Sequence, residues 1–264
     1  MKKYYQVVKN TWEEIGSYRL NFIIWRVRNV LQILTLYFLW ASLIPQKALL
    51  FGYSQQLMLT YILGTSLITS FVFSGRTQEI GENINNGDLS VFLLRPINYF
   101  LYWFSKDVGD KLMNIIFSVV EISLLLYFLH PPLFIQTNIS YLFFAFTAII
   151  VSIFSYFFFS CLLGLIGFWS PEIWGPRFIF MIILNFFAGG LFPLDILPKP
   201  IFSFLQILPF SYFLYFPLKI YLGQISYLEI YQGFFVSIFW IFLLYFILKF
   251  VWRKGLKVYS AAGR

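Results

Sequence analysis

Charge is scarce in this sequence. Of its 264 residues only 11% are Asp, Glu, Lys or Arg, against about a quarter in a soluble globular domain, so water cannot be the solvent for most of the surface. Cysteine occurs once, at Cys161 inside an apolar block, which excludes an intrachain disulfide. The one histidine, His130, stands beside Pro131 and Pro132 in an expected short loop, with no second His or Cys nearby to complete a metal site. The dipeptide Gly-Lys does not occur, and with it goes any phosphate-binding loop ending in Gly-Lys-Ser or Gly-Lys-Thr. Neither paired aspartates for a metal-bound diphosphate nor a Ser, His and Asp set can be drawn. No enzyme site, metal or cofactor is therefore expected in this chain.

Apolar residues fill the space that charge leaves. They make up 60% of the chain and include 35 Phe, gathered in blocks of about 18 residues or more, the length that crosses a hydrocarbon core of about 30 Å at 1.5 Å per residue. A membrane β-barrel would need strands alternating apolar and polar, and residues 30–44 show no such alternation. The first twenty residues are polar and charged, with no small-residue cleavage site after a short apolar core, so a retained N-terminus is expected. The formal charge of +8 is spread between apolar blocks, which fits the inner membrane surface better than nucleic acid.

The fold class expected is an all-α membrane protein forming a single domain over 1–264. Its six spans read as 23–44, 57–74, 108–129, 139–169, 178–191 and 234–251. The fourth, about 46 Å long as a helix, must tilt or extend beyond the hydrocarbon. Before the first span, Tyr4, Val8, Trp12 and Ile15 recur at helical spacing, with Lys9, Asn10, Glu13, Glu14 and Ser17 elsewhere on the wheel. Residues 1–21 thus read as an amphipathic helix, lying among lipid headgroups with Lys2, Lys3 and Lys9 toward anionic lipid, or else packed on a soluble partner.

A seventh span over 201–218 is opposed by charge. With six spans, Lys2, Lys3, Lys9, Arg19, Arg26, Arg28, Arg76, Arg95, Lys106, Lys111, Arg177, Lys249, Arg253, Lys254, Lys257 and Arg264 share one side. Only Lys47, Lys199 and Lys219 remain opposite, and the basic excess marks the cytoplasmic face. Both termini are then cytoplasmic. Residues 192–232 become an external segment, broken by Pro193, Pro198, Pro200, Pro209 and Pro217 into short re-entrant or interfacial helices.

Glu121 is the clearest polar feature at mid-membrane, about 15 Å into the third span from Lys111. An ionised carboxylate there costs roughly 2.5 to 3.5 kcal/mol, so it should be protonated, paired or facing a wet cavity. Asn114 and Ser118 share its helix face, and the stripe reads as either a substrate pathway or a packing network. Asn185 in the fifth span is a weaker case of the same kind. Ser160 and Gly164 form a small-xxx-small pair that allows close helix approach.

The loop over 75–107 is polar from Arg76 to Asn86 except for Ile80 and Ile84, four apart on one helix face, before Gly87 supplies a stop. Gly87-Asp88-Leu89 and Leu93-Leu94-Arg95-Pro96 follow, and Phe186-Phe187-Ala188-Gly189-Gly190-Leu191-Phe192-Pro193 with Leu197-Pro198 comes later. With the amphipathic N-terminus, these segments resemble the membrane subunit of type-2 ATP-binding-cassette permeases, in particular the shorter six-span branch. The resemblance implies a coupling helix within 80–95, with Ile80, Ile84, Gly87, Leu89, Leu94, Arg95 and Pro96 at the contact with a separate ATPase. ATP and Mg would be bound by that partner. It also implies a second permease chain, identical or paralogous, across the substrate path. Glu121 departs from the family's pattern. A hydrophobic or amphiphilic export substrate, such as a drug, a lipid or a lipid-linked glycan, fits the aromatic interior. The alternative is a channel or ion-coupled carrier that titrates Glu121.

Overall fold

The computed structural model describes residues 2–17, 19–45 and 49–260. Lys47, Arg264 and the side chains of Ile15, Ser17 and Arg19, all used above, lie outside the described residues. Within them the chain is helical, with no strand. In order come α1 (Lys2–Ser17), α2 (Arg19–Leu43), α3 (Gln55–Val72), α4 (Glu79–Asn85), α5 (Leu89–Leu94) and α6 (Tyr99–Leu129). They are followed by α7 (Ile139–Gly164), α8 (Trp174–Phe187), α9 (Lys199–Ile207), α10 (Tyr215–Tyr221) and α11 (Tyr227–Val258). Among the described residues four helices are long and apolar enough to cross a membrane, at Phe22–Leu43, Tyr99–Leu129, Ile139–Phe168 and Tyr227–Val258. They become five if Lys199–Ile207 and Phe210–Tyr221, which meet at 84°, count as one broken span.

Helix starts follow local chemistry that a hydropathy reading underweights. Asn98 accepts a hydrogen bond from Leu101 N and starts α6 nine residues before the expected 108, and Ser226 with Glu229 forms a capping box that starts α11 at Tyr227 instead of 234. The expected fifth span over 178–191 is shifted: α8 stops at Phe187, because Gly189 takes a φ of +82° and turns the chain.

Two ends of the bundle can be told apart by contacts. At one end, Lys3 Nζ donates to the Pro96 carbonyl at 2.7 Å, and Asn98 N donates to Tyr4 Oη at 3.2 Å. Tyr259 Oη, just past α11, donates to the Gly87 carbonyl at 2.7 Å and accepts from Ser90 N at 3.1 Å. The start of α1, the loop between α3 and α6 and the end of α11 therefore meet. At the opposite end, Gln136 donates to the Tyr221 carbonyl, and Tyr53 meets Asp195.

The apolar stripe of α1 finds a partner within the same chain. Thr11 is fully buried, Trp12 Nε1 donates to the Gly109 carbonyl at 2.8 Å, and a side chain on Gly109 would strike Thr11. The face carrying Tyr4, Val8 and Trp12 thus lies along α6, while Lys2, Lys3, Lys9 and Tyr5 stay exposed. The segment 192–232 likewise enters the bundle. Phe213, Leu214 and Ile220 are fully buried, Leu194, Leu205, Leu218 and Leu222 belong to the same core as Tyr61 and Leu184, and Leu218 presses on Gly64 of α3. Apolar side chains between the prolines supply the reason, since their burial is worth about 1.5 to 3 kcal/mol each.

Candidate functional site

Loop 75–98 is rooted by glycines. A side chain on Gly164 would lie 2.8 Å from Ile80 Cβ and 2.9 Å from the Thr77 carbonyl, and one on Gly167 would meet the Gly81 carbonyl at 2.9 Å. The small residue at 164 serves approach of α4 to the end of α7, a use of the Ser160 and Gly164 pair different from span-to-span packing. Ile80 and Leu89 are fully buried and Ile84 is 4% exposed, in a cluster with Tyr99, Trp103, Phe157, Leu165, Phe168 and Leu248. The expectation that Ile80 and Ile84 present apolar surface to another protein is therefore corrected: the chain's own core covers them. Gly87 is buried with φ +83° and closes α4 as expected. The face left open carries Glu82, Asn86, Asp88, Val91, Leu93, Leu94, Arg95 and Pro96, with Leu94 88% exposed. Arg95 is extended, as a residue before proline should be.

Charged side chains tie this loop to the helices beside it. Arg76 pairs with Glu79 at 2.9 Å, Asp110 at 3.2 Å and Glu14 at 3.7 Å, and Lys106 pairs with Glu79 at 2.7 Å and Glu14 at 3.3 Å. Burial lowers the Arg76 pKa, and the hydrogen bond and charge of Glu79, with Asp110 and Glu14, more than restore it, so the net shift is upward. The five groups join α1, α4 and α6 into one unit.

A second polar cluster lies deeper. Lys111 Nζ donates to the carbonyls of Val72, at 2.9 Å, and Ser74, closing the end of α3. It also pairs with Asp107 Oδ2 at 3.2 Å. Asp107 is 1% exposed and sits against Gly75. Arg177 Nη2, on α8, donates to Ser160 Oγ at 2.9 Å and Thr77 Oγ1 at 3.3 Å, and those two hydroxyls bond to each other. Arg177 Nη1 is buried with no hydrogen-bond partner.

Glu121 meets a partner that the sequence reading did not assign. Arg26 of α2 donates from Nε to Glu121 Oε1 at 2.6 Å and from Nη2 to Glu121 Oε2. The same guanidinium donates to Asn114 Oδ1 at 3.1 Å and Ser118 Oγ at 3.0 Å, and Ser118 bonds on to Ser70 of α3. The three-residue stripe is brought together as expected, but around one cation. Two side chains at 9% and 13% exposure form a fork geometry that satisfies the carboxylate in place. Of the three ways of carrying such a carboxylate at depth, protonation, pairing or a wet cavity, the structure shows pairing. The pair borders a groove of about 580 Å³ between α2 and α6, walled by Ile23, Val27, Met113 and Phe117. Asn185 lies apart from this stripe, at the end of α8, where its side-chain oxygen packs over Gly190. The signal for Arg26 was present, since it is a cation inside an apolar block, and such a residue calls for a named partner.

A loop gripped by the bundle at one end and a helix broken at Gly189 match the two segments that carried the family resemblance. A family model described as ABC-2 family transporter protein matches residues 30–263. The chain belongs to the ABC-2 transporter family. It is a permease component of an ABC-type transporter and a multi-pass membrane protein, and permeases of the ABC-2 family generally work with an ATPase subunit. No curated protein matches the sequence.

Proposed function

We propose that this ABC-2 permease is the membrane half of an exporter, driven by a separate cytoplasmic ATPase that docks on the open face of α4 and α5. The observation that carries the reading is the two-sidedness of the loop. Ile80, Ile84 and Leu89 root it in the core formed by α6, α7 and α11, while Glu82, Asn86, Asp88, Leu93, Leu94 and Arg95 remain uncovered. A push on the open face is then passed to the helices by the buried face. ATP and Mg belong to the partner, and this chain supplies the route.

The proposed topology has six crossings, α2, α3, α6, α7, α8 and α11, with both termini cytoplasmic in the cell (inner or plasma) membrane. Two facts support it: α1, loop 75–98 and the end of α11 lie together, and residues 192–226 pack at the opposite end. In this arrangement Lys2 and Lys9 on α1 face anionic headgroups. A second permease chain would complete the route, and the apolar groove beside Arg26 and Glu121 suits a hydrophobic or amphiphilic substrate.

The test is recovery of the ATPase subunit with the permease. Glu82→Lys with Leu94→Asp should abolish co-purification while thermal unfolding in detergent stays at the wild-type temperature. Undiminished recovery and turnover with both changes in place would remove the docking face from this loop.

A further inference from the structure

Two side chains of opposite charge meet the connection between α3 and α4, Arg177 at Thr77 and Asp107 at Gly75. Asp107 on α6 is buried and paired with Lys111 at 3.2 Å, while Arg177 on α8 is half-buried and leaves its Nη1 without a hydrogen-bond partner. No ion pair joins Arg177 to an acid among the described residues. A half-buried cation in that condition is costly, and an unmade buried hydrogen bond in a native structure calls for an explanation. The cluster stands where motion would have to pass. Arg177 holds Thr77, two residues before α4 begins, and Asp107 lies against Gly75 in the same connection. Arg177 is also in the first turn of α8, a 14-residue helix about 21 Å long. The far end of that helix is the Gly189 break, where Tyr61 Oη donates to the Gly189 carbonyl and Tyr215 N to the Ala188 carbonyl.

We propose that Arg177 is the positioning residue through which movement of loop 75–98 reaches α8, exchanging Thr77 and Ser160 for Asp107 when the loop shifts. This rests on the coupling reading above. In the present arrangement the guanidinium ties α8 to the loop and to α7. Displacing Thr77 removes one of its two acceptors, and the Asp107 carboxylate, now paired with Lys111 at 3.2 Å, takes it over. Because packed interfaces switch between discrete arrangements instead of deforming continuously, the exchange would move α8 as a rod and shift its outer break.

The experiment uses the permease with its ATPase subunit in lipid nanodiscs, with Cys161→Ala and a reporter Leu191→Cys at the outer break. The labelling rate of the reporter by an impermeant maleimide is measured without nucleotide and with vanadate-trapped ATP. The parent should show a several-fold nucleotide-dependent change in rate. Arg177→Met should abolish that change while the ATPase still binds and hydrolyses, and Arg177→Lys should keep part of it. Asp107→Asn keeps the resting contact of Arg177 with Thr77 but removes the counter-charge of Lys111, so it is read by the ratio of the two rates, which should fall to one. A merely structural role would move both rates together. Full nucleotide response in Arg177→Met or Asp107→Asn, or no response in the parent with ATPase bound, overturns the proposal. Failure of any ATPase to co-purify with the parent overturns the coupling reading itself.

Discussion

Arg26 on α2 grips Glu121 on α6 through two parallel hydrogen bonds, the Nε to Oε1 arm measuring 2.6 Å, and the same guanidinium reaches Ser118 and Asn114 one and two turns below. The arrangement turns the costliest residue of the third apolar block into a cross-link between helices. Breaking one side should be worse than removing both. Glu121→Gln leaves a buried guanidinium without its counter-charge and is expected to destabilise the chain by about 3 to 5 kcal/mol. Arg26→Met combined with Glu121→Leu should recover most of that loss. Thermal unfolding of the single and double variants in detergent measures the coupling, and additive losses would argue against the pair.

Gly164 lies at a close approach between the loop helix and the bundle. Gly164→Ala puts a methyl group 2.8 Å from Ile80 Cβ and 2.9 Å from the Thr77 carbonyl, and overpacking of this kind costs about 1 to 3 kcal/mol. The expected result is a lowered unfolding temperature, together with faster tryptic cleavage at Arg76 as α4 lifts. Unchanged stability and unchanged cleavage would mean that the contact yields without consequence.

Lys219 is held by three acceptors at the opposite end: Tyr53 Oη at 2.8 Å, Asp195 Oδ2 at 2.8 Å and Gln224 Oε1 at 2.7 Å. Its side chain is 7% exposed, and Tyr53 Oη donates to Asp195 in turn. Lys219→Met strands Asp195 beside a buried tyrosine. It should loosen residues 192–226 before the rest, seen as faster amide hydrogen exchange over 194–224 with little change in α7. Uniform exchange across both regions would show that the network does not hold this segment.

Topology follows from which end is which. Ser203 on α9 and Ser260 after α11 are both exposed and lie at opposite ends. With six crossings, a cysteine at 203 should react with an impermeant thiol reagent in intact cells, and one at 260 should react only after permeabilisation. Labelling at 260 in intact cells would reverse both the orientation and the count.

Much of the architecture was legible from sequence because the membrane constrains it strongly. Apolar blocks must become helices, since each unpaired backbone group in hydrocarbon is expensive, and the blocks beginning near 23, 57, 139 and 234 correspond to α2, α3, α7 and α11. The loop helix was readable as well, because polar residues around Ile80 and Ile84 and a glycine at 87 specify a short helix and its stop. What spacing could not reveal was the direction in which its apolar face points. Two isoleucines at i and i+4 look the same whether another protein or the chain's own α7 covers them, and only the glycine surface at Gly164 and Gly167 decided for the latter.

Partners of buried charges were decided by tertiary structure for the same reason. The sequence by itself determined that Glu121 needed compensation, because its cost at depth does not depend on the fold. Which group compensates depends on side chains 95 positions apart meeting across two helices, and hydropathy carries no information on that. The segment 192–232 divides in the same way. Its prolines required short broken helices whatever the fold, but its burial against Tyr61, Gly64 and Leu184 depended on small and aromatic side chains of α3 and α8 leaving a space that Leu218, Tyr215 and Leu194 fill.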